Sequence, residues 1–260
     1  MLLGGRETAS ILRRGIFGVN KTKDFTSAEL LNNLKRIILM DSPDEFRPVA
    51  MKLGHGGTLD KSAVGVLIVG VNWGCKKLPL LLHGAKNYIV VGQLGIATDT
   101  YNECGRITDE RPYSHVTEED INAVLKQFVG DIWQTAPLYS ALKVNGQRMS
   151  DLVKEGVDVQ PRDRLVRCYS AECTDFSPPF FTAHVRCGGG FYVRSLVHDL
   201  GIALNTCAHV RQLQRTQQGP FTLPDCLNEN EWTLSNILDS IMYCQLKFSQ
   251  FEKNAREKRA

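Results

Sequence analysis

The chain has 260 residues, 43% of them hydrophobic and 23% charged, with a formal net charge of +3. That length can bury one large core or two small ones. The modest charge excludes a histone-like polycation while allowing a local basic face, and no apolar run approaches the roughly 20 residues that a membrane-spanning helix needs.

The first fourteen residues carry Arg6, Arg13 and Arg14 against one acid, Glu7. This is faintly like a mitochondrial transit peptide, but a flexible N-terminus over 1–14 is the simpler expectation. Residues 15–20 predict a short buried strand, followed by Lys21. Thr26 and Glu29 form a capping box that opens an amphipathic helix to about Met40, with Leu30, Leu31, Leu34, Ile37 and Ile38 on one face. Residues 41–50 read as a proline-containing loop.

In the stretch Lys52–Leu67, Gly54, Gly56 and Gly57 lead into a single carboxylate, Asp60, and residues 65–71 then predict a buried strand. An acid presented from a glycine-rich turn beside a buried strand is aimed by a packed scaffold. Turns of this kind also end in an aspartate that only caps a helix or bonds its own turn. The stretch matches neither the G-x-x-x-x-G-K-[ST] nor the G-x-G-x-x-G phosphate-binding pattern.

A short helix ending near Gly84 follows, then a strand over 86–95 and a polar, hairpin-like connection over 97–107. Thr117 caps a helix that turns Ile121, Val124, Leu125 and Phe128 inward. Residues 131–165 are less regular, with a short helix near 147–155. Strands over 166–176 and 180–187 flank Ser177-Pro178-Pro179. A helix then runs to about Leu204, a strand returns near 208–221, and a helix lies near 231–243. The charged tail over 246–260 reads as disordered. Ser195, His198 and Asp199 sit within five residues of one helix and point to different faces, which argues against a catalytic triad. The eight cysteines at 75, 104, 168, 173, 187, 207, 226 and 244 form no C-x-x-C pair and have no histidine at zinc-ligand spacing. Without a secretory signal, free thiols in a reducing compartment are expected.

The segment GHGGTLDKSAVGVLIVG resembles the G-H-x-G-x-L-D-x-x-A-x-G-[VM]-L motif of the TruB-type pseudouridine synthases, which isomerise a uridine in the T arm of tRNA. Other segments match that family in order, from about Phe17 to Phe221. Val19-x-Lys21 resembles V-x-K-P-x-G, with Thr22 in place of the proline and Asp24 in place of the glycine. Lys86-x-Tyr88 precedes L-G-x-x-T-D-T, and Pro137 opens P-x-x-S-A-[LV]-K. The stretch from Cys187 to Leu196 resembles C-[SG]-x-G-[TF]-Y-[IV]-R-[ST]-L, and Ala208–Thr216 resembles A-H-V-x-x-L-R-R-[TL].

The resemblance implies a mixed α/β (α+β) fold: a long, mostly antiparallel sheet flanked by helices, with a central cleft and an RNA-clamping insertion at about 131–165 of a catalytic domain spanning 15–245. It implies Asp60 as the nucleophile, kept ionised by Arg194, and Tyr88 packed on the flipped base. His55, Lys21, Lys76, Tyr192 and Leu213 would bind or support the substrate, and Lys143, Arg148, Arg162 and Arg164 would contact RNA phosphates. The implied reaction turns uridine 55 of the T loop into pseudouridine and requires no metal or other cofactor. The implied partners are the tRNA T-arm stem-loop and, as a further substrate, T-loop-like mRNA stem-loops. No membrane and no obligatory protein partner are expected, and the protein would act as a monomer. Fewer than 40 residues follow Phe221, too few for the PUA domain of bacterial relatives, so the short eukaryotic type is expected. The nucleus and cytoplasm are its expected location, with the mitochondrion as an alternative. A non-catalytic RNA-folding protein on the same fold is the competing reading.

Overall fold

A computed structural model describes residues 5–42 and 51–257. The expected loop at 41–50 falls mostly outside them. The chain divides into two compact units, one made of residues up to Lys86 and from Gln214 onward, the other of Asn87–Leu213.

The first unit begins with α1 (Gly5–Arg13), β1 (Ile16–Lys21) and α2 (Ser27–Asp41). Thr26 and Glu29 make the capping box in both directions, Thr26 Oγ1 accepting from the Glu29 amide and the Glu29 carboxylate from the Thr26 amide. β2 (Leu53–His55) and β3 (Val64–Val71) follow, then a 3-10 segment and α3 (Leu78–His83). β3 is antiparallel to β1 from Ile16↔Gly70 to Lys21↔Gly65. The buried run Val66–Val71 matches a strand covered on both faces. After the second unit the chain returns through β12 (Ala208–Gln218), whose last five residues belong here, β13 (Phe221–Thr222), β14 (Cys226–Leu227) and α7 (Leu234–Glu257). The strand order is β14-β1-β3-β12, with β2 on β3 and β13 on β12.

Two expectations at the chain ends are corrected. Residues 5–13 are helical rather than flexible, because Thr8 and Leu12, one turn apart, are buried as α1 packs on α7. Residues 246–257 are not a disordered tail but the continuation of α7. Ile237, Ile241, Cys244 and Phe248 form a fully buried stripe at helical spacing beneath the charged residues. Phe248 stacks on Phe221 with ring centroids 6.3 Å apart, in a core that includes Ile16, Val66, Ile68 and Leu81. Burying a phenylalanine of this kind is worth about 2–3 kcal/mol, which outweighs the charged composition that follows it.

The second unit holds β4 (Lys86–Leu94, from its second residue), the β5–β6 pair (Ile96–Thr98, Ile107–Glu110), α4 (Glu118–Gln127) and β7 (Gly130–Thr135). It continues with β8 (Lys143–Val144), β9 (Gln147–Arg148), α5 (Met149–Lys154), β10 (Asp163–Ser177), β11 (Phe180–Cys187), α6 (Val193–Ala203) and the first six residues of β12. Its strand order is β12-β4-β11-β10-β7. Along β10 the buried positions are Val166 and Cys168, then Ala171 and Cys173. The change from even to odd numbers follows from a register shift between Cys168 and Ser170, since one extra residue reverses the faces of everything after it. α4 packs on β10 through the buried Ile121 and Leu125.

The strands are mixed: β1/β14 and β3/β12 pair in parallel, while β1/β3, β2/β3, β7/β10, β10/β11 and β12/β13 are antiparallel. Helices flank the sheet in each unit. All eight cysteines are free thiols.

Candidate active site

In the first unit, the loop between β2 and β3 presents Asp60, and each neighbouring backbone group is held. The Gly56 amide donates to the Ile68 carbonyl (2.8 Å), and the Gly57 amide donates to His55 Nδ1 (3.3 Å). Leu59, one residue before the carboxylate, is bonded on both sides by the buried Ser27 hydroxyl, which donates to its carbonyl (3.2 Å) and accepts from its amide (3.1 Å). The Ala63 amide closes the turn on the Asp60 carbonyl (3.1 Å). Asp60 itself is half-buried.

Lys21, at the end of β1, is fully buried. Its Nζ donates to the carbonyls of Thr22 (3.0 Å), Lys61 (3.1 Å) and Ala63 (2.6 Å). Burial lowers its pKa to about 8, against the opposing pull of Asp60 and Asp24, and Arg215 pushes in the same direction as burial. The Asp24 amide also donates to the Lys61 carbonyl (3.0 Å). Asp24 takes φ 71°, the left-handed conformation in which a glycine would be at ease. The turn after Lys21 therefore keeps a glycine-like geometry with an aspartate in it, a conformation that aspartate tolerates better than most residues.

β12 supplies two further anchors that sequence reasoning passed over. Arg215, 1% exposed, is the largest fully buried side chain among the described residues. Its Nε donates to the Val66 carbonyl (2.7 Å) and its Nη2 to the Gly57 carbonyl (3.1 Å). Gln218 donates to the Gly56 carbonyl (2.5 Å) and accepts from the Ile68 amide (3.4 Å). Spacing does not separate Arg215 from the exposed Arg211 on the same strand. What sets it apart is its register opposite Gly65, where a Cβ on the glycine would overlap the Arg215 carbonyl. Lys86, also buried, donates to the carbonyls of Leu81 (3.1 Å), Leu82 (2.8 Å) and Gly84 (2.9 Å), and so closes the end of α3. Lys76 is exposed, with Nζ 3.9 Å from the centroid of the exposed Trp73 ring.

The second unit carries Tyr88, Tyr192, Arg194 and Leu213. Tyr88 is 8% exposed on a buried face of β4. Arg194 is 4% exposed in the first turn of α6, with Nη1 donating to the Thr100 carbonyl (2.9 Å) and Nη2 to the Tyr139 carbonyl (3.0 Å). The residue that enters α6, Tyr192, is fixed by the Gln134 amide, which accepts from its N–H (2.7 Å) and donates to its carbonyl (3.0 Å). Ser195 Oγ donates to the Thr135 carbonyl (2.7 Å), and the His198 ring stacks on Tyr101 with centroids 3.9 Å apart. Burial and the neighbouring Asp163 push the Asp199 carboxyl up to about 6. Those engagements use the serine hydroxyl and one face of the imidazole for purposes other than nucleophilic catalysis.

Lys143, Arg148, Arg162 and Arg164 are all exposed on the segment between β7 and β10 and its exit strand. That segment folds on a small core of Ala136, Met149 and Val159, against which Leu142, Leu152 and Tyr192 pack. The β8–β9 hairpin turns at Asn145-Gly146, both at positive φ, as the Asn-Gly pair predicts for a two-residue turn. No group of three or more potential metal ligands occurs among the described residues, and no described helix is long and apolar enough to cross a membrane.

Residues 47–193 match the profile of the TruB family pseudouridylate synthase N-terminal domain, and residues 194–251 match that of the tRNA pseudouridylate synthase B C-terminal domain. Pseudouridylate synthase TRUB1 of Homo sapiens is 50% identical over 242 residues, covering 90% of this chain and 69% of that protein. A tRNA pseudouridine synthase B of Geotalea uraniireducens is 35% identical over 218 residues, covering 84% and 67%. A crystal structure of a Cbf5-Nop10-Gar1 complex superposes with a TM-score of 0.64 at 27% identity. It covers 86% of this chain, which spans about half (55%) of the matched one. With profiles covering most of its length and half its residues shared with a human relative, the chain belongs to the TruB family of pseudouridine synthases.

Proposed function

We propose that the protein isomerises uridine 55 in the T loop of tRNA, with Asp60 as the nucleophile. The observation that carries this reading is the immobilised backbone around Asp60. Ser27, Lys21, Arg215 and Gln218 hold carbonyls or amides on both sides of one half-buried carboxylate. Two buried cations spent on a single loop are costly to fold around, and a nucleophile that must meet a sugar carbon at one angle gives that cost a purpose.

The reaction breaks the C1′–N1 bond and makes a C1′–C5 bond. The Asp60 carboxylate assists departure of the uracil through a covalent or glycal intermediate. The freed base turns, C5 bonds to C1′, the C5 proton leaves and N1 takes up a proton. Atoms and electrons balance without any added group. Reaching C1′ requires flipping the nucleotide out of the loop, at a cost of a few kcal/mol. Tyr88 serves as the platform for the flipped base, and His55 fills the stack it vacates. Lys76, Tyr192 and Leu213 complete the substrate contacts. Arg194 is assigned as the charge partner of Asp60, since a guanidinium fork suits a carboxylate that must stay ionised. Lys143, Arg148, Arg162 and Arg164 would neutralise phosphates of the stem.

The test is pseudouridine formation on a synthetic T-arm stem-loop and on whole tRNA, comparing wild type with Asp60→Asn. Product from the wild type alone is expected. Tight RNA binding without product on either RNA would overturn catalysis in favour of an RNA-folding role.

A further inference from the structure

We propose that Arg215 and Gln218 of β12 are positioning residues for Asp60: they fix the glycine loop from the sheet side while Lys21 fixes it from β1. This rests on the nucleophile assignment above and adds residues outside the glycine motif to the machinery that aims it.

The anchors divide the loop between them. Arg215 and Gln218 take the carbonyls of Gly57 and Gly56, three and four residues before Asp60. Lys21 takes those of Lys61 and Ala63, one and three residues after it. Arg215 also takes the Val66 carbonyl and Gln218 the Ile68 amide, so both tie the loop to β3. The two side chains thus bridge the glycine loop to β3, which is buried from Gly65 to Val71.

Hydrogen bonding alone would not select an arginine here. Burying a guanidinium costs several kcal/mol unless its donors are satisfied, and an apolar side chain of similar volume would often be as stable. Arginine offers donors diverging from a rigid plane, so Nε and Nη2 reach two carbonyls nine residues apart in sequence at once. A lysine ammonium carries three donors on one nitrogen, so it serves carbonyls that converge on a single point, as those around Lys21 do, whereas Arg215 reaches its two carbonyls from separate nitrogens. Gly65 completes the device. It sits at φ 106°, and a Cβ there would overlap the Arg215 carbonyl, so the glycine is what lets β12 lie against β3 at this register.

The experiment compares wild type, Arg215→Lys and Gln218→Met on T-arm RNA, with kcat and KM measured separately and hydrogen exchange read at amides of residues 56–63. For Arg215→Lys, kcat is expected to fall about 100-fold, the scale of an ångström-sized misplacement of a reacting group, with KM within about threefold. Exchange in the loop should quicken by at least about tenfold while the rest of the unit stays protected. Gln218→Met buries no charge and nearly preserves volume, so it decides the matter if Arg215→Lys does not fold. Its expected loss is about tenfold in kcat with the same exchange signature. The proposal is overturned if kcat stays within threefold while the loop loosens, if the loss lies in KM alone, or if kcat falls with loop exchange unchanged. Should the wild type itself make no pseudouridine, the function proposed above fails, and loop exchange in the variants still tests the clamp.

Discussion

The Asp60 loop and the insertion between β7 and β10 use their cations in opposite ways. Around Asp60 the cations are buried and committed to backbone: Lys21 and Arg215 together hold five carbonyls, those of Thr22, Lys61, Ala63, Val66 and Gly57. In the insertion and at the start of β10, Lys143, Arg148, Arg162 and Arg164 stand in solvent, on a segment whose small apolar core is built on Ala136, Met149 and Val159. Buried and bonded cations fix geometry at a cost in stability. Exposed ones cost little, fix nothing, and remain available to phosphates. A catalyst needs the first kind where a bond is made and the second where a flexible polymer is gripped. The contrast can be broken or sharpened by substitution, and the expected effects differ in kind as well as size.

The largest effect belongs to Asp60→Asn. It should abolish pseudouridine formation, at least about a 1000-fold loss equivalent to roughly 4 kcal/mol of transition-state stabilisation. Melting temperature and RNA affinity should stay close to wild type, because asparagine keeps the size of the side chain and the carbonyls around it keep their bonds to Lys21, Arg215 and Gln218. Retained turnover in a calibrated assay would remove Asp60 from the nucleophile role.

Lys21→Met comes next and has a pH signature. The folded pKa of Lys21 is lowered by burial to about 8 from 10.5, so between those values the unfolded chain binds more protons than the folded one. Stability from this group therefore rises with pH across that window, and below it the cost of burying the charge is fully present. The methionine variant has no such term. At neutral pH it should lose about 1–3 kcal/mol, because carbonyls are left unsatisfied. In denaturant titrations the gap between wild type and variant should widen by roughly 2 kcal/mol from pH 7.5 to 9.5. A constant gap would mean that Lys21 is not strained by its burial.

In the insertion, replacing Arg148, Arg162 and Arg164 together by alanine should raise KM about tenfold with kcat nearly unchanged, and reduce the salt dependence of RNA binding by a slope of about 2–3. Stability should move by less than about 0.5 kcal/mol per site, as at other exposed positions. Loss of kcat instead would place these arginines closer to the chemistry than a phosphate contact allows.

What was readable in the sequence divides along the same line. Local signals are plain: the Thr26 and Thr117 caps, the alternation along β4 and the run of β3 all match the structure. The Asp60 loop was found because its glycines and acid are contiguous. Arg215 and Gln218 were not, since their meaning comes from the register of β12 on β3, a contact across some 150 residues of chain. The register shift in β10 was invisible for a related reason, because one unpaired residue changes which face is buried without changing composition. The end of α7 is masked by the charged residues after 246, although the apolar stripe beneath them continues to Phe248.

The smallest effect tests how the Lys21 turn accommodates its aspartate. Asp24 holds φ 71°, and its amide shares the Lys61 carbonyl with Lys21, so this one residue joins the β1 turn to the Asp60 loop. Glycine there would relieve the left-handed conformation but would lose more entropy on folding, by about 0.5–1 kcal/mol, so the two terms nearly cancel. Asp24→Gly should thus lie within about 0.5 kcal/mol of wild type. Alanine relieves nothing, because its Cβ clashes as any other does, and it lacks the short polar side chain that eases this conformation locally. Asp24→Ala should then be less stable than wild type by about 1 kcal/mol, measured by thermal and denaturant unfolding. Equal losses for glycine and alanine would assign the cost to the missing carboxylate beside Lys21 rather than to the backbone.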